Sequence, residues 1–158
     1  MLRLIPSSLH RLLLRVADPL RRRIWRIVRP NMRSVSVIAL APGERILLVR
    51  LSYGANNWSF PGGGARRGEA VEDAARREAR EEAGCEIDGL ELVAQFEENI
   101  SGARSASWLF VGNLLNNPVA DGREVLEARL FPLHSLPEPL SPRTRKRLRL
   151  WREWRAAS

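Results

Sequence analysis

Apolar residues recur along this chain with two different periods, and the change of period marks out its organisation. Leu9, Leu12, Leu13 and Val16 fall at helical spacing before Pro19. Leu20, Ile24, Ile27 and Val28 continue a second stripe, with Arg21, Arg22, Arg26 and Arg29 beside it. One kinked or two short amphipathic helices are expected over 7–29, and Pro30 and Asn31 mark a boundary. Beyond it the Val-, Ile- and Leu-rich runs Ser34–Ala41 and Glu44–Leu51, joined through Pro42 and Gly43, predict a β-hairpin. Asn57–Phe60 predicts a short strand that leads into Pro61, Gly62, Gly63 and Gly64. Val71–Ala83 is a run of good helix formers, and Gly84 is placed to end it. Leu90–Glu97, Ser107–Leu115 and Glu127–Phe131 are further strands. Ser141–Trp154 predicts a C-terminal helix with Pro142 in its first turn and Leu148, Trp151 and Trp154 on a shared face. Strands flank a central helix without the regular alternation of a doubly wound fold, and no internal repeat is visible.

Composition narrows the class. A length of 158 residues suits one domain with short appendages, and 44% hydrophobic residues are too many for a disordered chain. The reading is an N-terminal basic extension over 1–30, a main domain over 31–140, and a C-terminal basic helix over 141–158 that belongs to the same domain. The single cysteine, Cys85, excludes an internal disulfide and a multi-cysteine metal site, and two histidines, His10 and His134, make a histidine-rich zinc site an unfavourable reading. These counts fit a reducing compartment.

The net charge of +8 is unevenly spread. Residues 1–33 hold nine arginines against Asp18, and residues 143–158 hold seven basic residues against Glu153. The span between them holds ten basic and sixteen acidic residues. Cationic ends around an anionic centre suit steering toward nucleic acid, anionic lipid or a phosphate-rich substrate. The N-terminal stripe either packs on the domain or on a second subunit, or serves as an arm at a membrane surface or nucleic acid. No apolar run approaches the roughly 18–20 residues needed to span a bilayer. Arginines interrupt the leader, so a secretory signal is not expected; an organelle presequence remains as an alternative to a cytoplasmic location.

Chemistry concentrates between Gly63 and Cys85. Glu78, Glu81 and Glu82 stand at i, i+3 and i+4 of one helix. At about 100° per residue, Glu81 lies roughly 60° to one side of Glu78 and Glu82 roughly 40° to the other. All three can project toward one point. Such a cluster repels itself unless a cation sits in it, and oxygen ligands suit a hard divalent ion, Mg²⁺ or Mn²⁺. The alternative is a solvated helix face held by pairs such as Arg77–Glu81. The glycine loop ahead of the helix favours the first reading, because glycines let backbone amides and carbonyls approach a metal or a phosphate. Ala70, Ala74, Ala75 and Ala79 form a small-residue stripe that lets the helix lie close to a sheet.

These residues resemble the signature of the Nudix hydrolases, G-x5-E-x7-R-E-U-x-E-E-x-G-U, where U is a bulky aliphatic residue. Gly63, Glu69, Arg77, Glu78, Glu81, Glu82 and Gly84 match every fixed letter. Ala79 and Cys85 depart at two U positions; a free cysteine still behaves as a small buried hydrophobe. Trp58 to Gly64 is similar to the family's lead-in. The resemblance implies an α/β/α sandwich around a mixed β-sheet, with the N-terminal amphipathic helices and the C-terminal helix added. It implies metal-dependent hydrolysis of a pyrophosphate linkage in a nucleoside di- or triphosphate or a nucleoside diphosphate derivative. Glu78 and Glu82 would be metal ligands, and Glu81 a third ligand or the base that activates water. Arg77 would hold a carboxylate in place, Glu69 would anchor the loop, and Gly62, Gly63 and Gly64 would meet substrate. A further carboxylate from outside the signature would be Glu124, with Glu97 and Glu98 as competitors.

Other residues keep two readings. Trp58 stacks on a base or sits in the core, and Tyr53 and Asn57 line the substrate pocket or form a turn. His134 is read as a loop residue and Cys85 as an inward-facing one, not a nucleophile. Arg143, Arg145, Arg147 and Arg149 form a solvated helix face or touch phosphate or RNA. The proline that marks ADP-ribose cleavers is missing after the signature, and Tyr53 is the only tyrosine, so the diadenosine polyphosphate marker is missing too. The NADH-type motif is not seen either. An RNA 5′-end pyrophosphohydrolase and a non-catalytic ligand-binding module are the alternatives, and an exposed N-terminal stripe would favour a homodimer.

Overall fold

The computed structural model describes residues 32–52, 56–100, 103–120, 122 and 124–158. The expected helices over 7–29, and Tyr53, lie outside the described residues. Among the described residues seven strands and two helices follow in the order β1 (Met32–Ala41), β2 (Arg45–Leu51), β3 (Trp58–Ser59), β4 (Gly62–Gly64), α1 (Val71–Ala83), β5 (Ile87–Ile100), β6 (Ala103–Leu114), β7 (Val125–Pro132) and α2 (Pro142–Ala157).

One mixed sheet runs β3-β2-β1-β6-β5, with β7 on β2 and β4 on β1. The pair β1–β6 is parallel from Met32↔Ser105 to Leu40↔Asn113, and the other pairs are antiparallel. Strand β1 carries apolar residues on both faces because both are covered. Val35, Val37 and Ala39 face α1, while Ile38 faces α2 together with Ile46, Leu48, Leu109, Leu148 and Trp151. Helix α1 presents Ala74, Ala75, Ala79 and Ala83, all fully buried, so its axis lies close to the sheet. Its C-cap, Gly84, takes the left-handed conformation at φ 60°, where a side chain would be strained. In α2 the Ser141 hydroxyl accepts the Thr144 amide at 3.1 Å and Pro142 opens the first turn. This is the α/β/α sandwich that the signature implied.

The expected hairpin is present but brief. Strands β1 and β2 pair only at Leu40↔Ile46 and Ala41↔Arg45. They then part, β2 continuing on β7 and β1 on β4. That parting admits the glycine run beside Ser34–Ser36. Strand β5 is longer than the hydrophobic pattern expected, because Glu97, Glu98 and Asn99 are held in register by Ala106, Ser105 and Arg104 across the hairpin. Of the arginines read as one helix face, Arg147 is a correction. It is buried, whereas Arg143, Arg145 and Arg149 are exposed. Arg147 falls at helical spacing with Thr144, Leu148 and Trp151, the buried face of α2. Among the described residues no helix is long and apolar enough to cross a membrane.

Candidate active site

Three elements meet where β4 crosses β1: the glycine run, the turn over 65–70, and one face of α1. The glycines are demanded by proximity. A Cβ on Gly62 would lie 2.2 Å from the Val35 carbonyl oxygen, and one on Gly63 would lie 2.4 Å from Oε1 of Glu78. The Glu78 carboxylate therefore rests directly against the backbone at residue 63. The Gly62 amide donates to Oε2 of Glu82 at 3.0 Å. Two carboxylates of the helix are thus fixed against the loop.

Arg77 is the hub. Its Nε donates to Oε1 of Glu69 at 2.8 Å and its Nη2 to Oε2 of Glu69 at 3.0 Å, a two-point pair that fits the guanidinium fork. Nη2 also donates to the Gly64 carbonyl at 3.0 Å, and Nη1 to Glu78 at 2.8 Å and Glu81 at 3.0 Å. The Arg66 amide donates to Glu69 at 2.7 Å, closing the turn, and the Arg66 side chain reaches Glu81 at 3.2 Å. Arg33 donates from Nη1 to the Glu69 carbonyl at 3.0 Å. Neither Arg33 nor Arg66 was singled out from the sequence. For Arg66 the signal was its place three residues before Glu69, a spacing at which a carboxylate can close a turn on a backbone amide.

Electrostatics follow from these contacts. The hydrogen bonds from Arg77, then the Arg66 amide, hold the Glu69 carboxyl down at about 2. Arg77 is itself pushed further up, first by Glu69. Glu78 goes the other way. Burial raises it and outweighs Arg77, and the charges of Glu81 and Glu124 raise it further. Glu124 therefore bears on the cluster, and its carbonyl accepts the Ser52 amide at 2.8 Å. Its two competitors point elsewhere. Glu97 pairs with Arg104 at the exposed hairpin. Glu98 is half-buried on the α2 face, where Arg147 donates to it at 2.5 Å and Ser107 at 2.7 Å.

Among the described residues no three histidine, cysteine or acidic side chains form a ready-made metal set. Arg77 draws Glu78 and Glu81 to itself, and Glu82 turns to Gly62. The residues nevertheless fit a hard cation. Glu78, Glu81, Glu82 and Glu124 are all oxygen donors, and a buried carboxylate pressed by two like charges is eased by positive charge.

Trp58 is buried in the α2-side core, with its ring edge-on to Phe131 at 4.9 Å and Arg50 over it at 5.3 Å. Asn57 stands just ahead of β3. His134 lies in the turn after β7. Cys85 is fully buried and its thiol is pushed up to about 11 by burial, which keeps it protonated and unreactive.

The NUDIX domain model matches residues 30–151. The chain belongs to the Nudix family. Its similarity to an RNA pyrophosphohydrolase of Campylobacter jejuni is 38% identity over 74 residues, 46% of each chain. To the mouse oxidized purine nucleoside triphosphate hydrolase it is 36% over 69 residues, 42% of this chain and 44% of the other. The match spans about half the length of these curated relatives. Among solved structures, a MutT Nudix hydrolase of Burkholderia pseudomallei superposes with a TM-score of 0.69 at 24% identity, over 77% of this Nudix chain and 98% of that one. That likeness establishes the shared fold.

Proposed function

We propose that this Nudix protein hydrolyses a pyrophosphate linkage in a nucleoside di- or triphosphate or a nucleoside diphosphate derivative, in the cytoplasm, with Mg²⁺ as cofactor and Mn²⁺ as a substitute. The observation that carries the reading is the Glu78 carboxylate, packed where a side chain at Gly63 would stand and raised by its burial and then by the charges of Glu81 and Glu124. Glu78 and Glu82 are the first ligands, joined by Glu124 from the β7 side. Glu81, half-exposed at the rim, is either a third ligand or the base that takes the proton of the attacking water. Arg77 positions Glu78 and Glu81, and Glu69 in turn holds Arg77. Gly62, Gly63 and Gly64 let the helix carboxylates lie against the loop, beside which the substrate phosphates would sit. A divalent cation, when bound, would neutralise those oxygens and make water more acidic. The protein's own contribution is placement and fixed charge.

A second reading, removal of pyrophosphate from RNA 5′ ends, is supported by the similarity to RNA pyrophosphohydrolases and by the exposed Arg143, Arg145 and Arg149 on α2. Both readings are tested with a panel of nucleoside triphosphates, oxidized purine triphosphates, nucleoside diphosphate derivatives and 5′-triphosphorylated RNA. Turnover is expected with Mg²⁺ and none after chelation. Failure to cleave any of them with Mg²⁺ or Mn²⁺ would reject the hydrolase. RNA as the substrate requires binding that weakens steeply as salt rises; a flat salt response would leave the small-molecule reading.

A further inference from the structure

Helix α2 carries seven basic residues and a single acid, Glu153. Thr144, Arg147, Leu148 and Trp151 form its buried face. Its outer face is a stripe of arginines. Arg145, Arg149 and Arg152 are exposed and stand at i, i+4 and i+7. At about 100° and 1.5 Å per residue they lie within roughly 60° of one another and are spaced roughly 6 and 4.5 Å along the axis. Arg143 turns elsewhere, toward Glu98.

The ion pairs of α2 leave this stripe largely uncompensated. Arg147 pairs with Glu98, Arg155 with Glu44 and Arg145 with Glu138. Among the described residues Arg149 and Arg152 take part in no ion pair. Like charges four apart on a helix repel, and an anionic chain laid along them relieves the repulsion.

The helix also has a direction relative to the carboxylate site. Its first turn is fastened beside the glycine run. The Trp58 carbonyl accepts the Ser141 amide at 3.0 Å and the Thr144 hydroxyl at 3.3 Å, and Gly62 follows shortly after Trp58. Its last turn reaches the β1–β2 turn, where Arg155 donates to Glu44 at 3.3 Å. The glycine run pairs with Ser34–Ser36, near the start of β1, whereas the β1–β2 turn follows its end at Ala41. The stripe therefore leads away from the carboxylates toward the opposite end of the sheet.

We propose that the outer face of α2 is a track for the phosphodiester backbone of single-stranded RNA, with the 5′ phosphates at the glycine run and the following nucleotides led past Arg145, Arg149 and Arg152. The track rests on the RNA reading of the site given above, and adds which residues hold the chain and in which direction it runs. Arginine suits the task because its planar fork donates to two phosphate oxygens at once and keeps its charge. Such contacts position a chain without reading its sequence.

The test uses the full chain and a fluorescein-labelled single-stranded RNA of about twelve nucleotides with a 5′-hydroxyl end, in EDTA, so that binding is read without turnover. Anisotropy is titrated over a range of salt. Arg149→Gln with Arg152→Gln should bind several-fold more weakly at low salt, with a salt dependence shallower by about 1.4 in slope, near 0.7 for each cation lost. The thermal midpoint should hold. Arg104→Gln with Arg129→Gln, exposed arginines each paired to a glutamate, should keep the parental slope. With 5′-triphosphorylated RNA, 4-thiouridine near the 3′ end should photo-cross-link to α2. An unchanged slope in the stripe variant would overturn the proposal, as would tighter binding to phosphatidylserine vesicles than to RNA at equal salt. RNA binding through the stripe with no turnover in the substrate panel would reject the hydrolase and leave the track standing.

Discussion

Oε1 of Glu78 lies where a Cβ on residue 63 would have to go, 2.4 Å from that position. Glycine at 63 is therefore a requirement of the carboxylate, not of the turn. Gly63→Ala should displace Glu78 while leaving the core intact. An ångström of misplacement in a catalytic group costs on the order of 10²-fold in rate. Steady-state kinetics on the substrate found by the panel should show that loss in kcat/KM, with circular dichroism unchanged.

Arg77 carries the structural weight of the cluster. Its side chain and that of Glu78 are 15% and 12% exposed, so removing the guanidinium leaves a buried charge unpaired. Arg77→Ala should cost roughly 3–5 kcal/mol, measured by denaturant unfolding. Arg77→Lys should recover only part, because an ammonium cannot reproduce the two-point pair with Glu69.

Acid should release the same lock in a defined window. The folded-state carboxyl of Glu69 sits at about 2, below its ordinary 4.5. A lowered value means that the stabilisation is fully present above about 4.5 and is lost as pH falls toward 2. Thermal midpoints measured from pH 6 to pH 2 should fall in that interval. Glu69→Gln should be less stable at neutral pH, with a shallower acid limb.

Far from the glycines, Glu98 and Arg147 form a buried pair, 9% and 8% exposed at their side chains. Arg147→Ala should destabilise by roughly 3–5 kcal/mol, and replacing both residues with leucine should cost much less. A double-mutant cycle by urea unfolding checks this. Equal losses in both variants would count against a charge-specific role for the pair.

Cys85 should be silent in the folded protein. With the thiol at about 11, only about one molecule in a thousand carries the thiolate at pH 8. Native protein should resist alkylation for hours under conditions that label the unfolded chain at once.

Much of this was legible in the sequence, and the reasons differ by element. Helix α1 showed itself to the residue because its alanines, its formers and Gly84 agree. The fixed letters of the signature placed Arg77 beside Glu78 and Glu81 because helix geometry sets their spacing, whereas its pair with Glu69 depends on the turn over 65–70. The parallel β1–β6 pairing was not legible, since register between strands some seventy residues apart leaves no local mark. The glycine run did not read as a strand; it pairs only because β1 and β2 diverge. Arg147 reads as a surface residue from the sequence because its partner, Glu98, lies on another element.

Glu82, its carboxylate held by the Gly62 amide, is the side chain on which the proposed metal-dependent hydrolysis is tested most directly. Glu82→Gln keeps a side-chain oxygen for that amide and removes the charge. The decisive measurement is kcat of this variant beside the parent, with Mg²⁺ titrated and folding followed by circular dichroism. A folded protein with hydrolysis reduced by at least about 10³-fold is expected. Parental turnover at ordinary Mg²⁺ concentrations would contradict it.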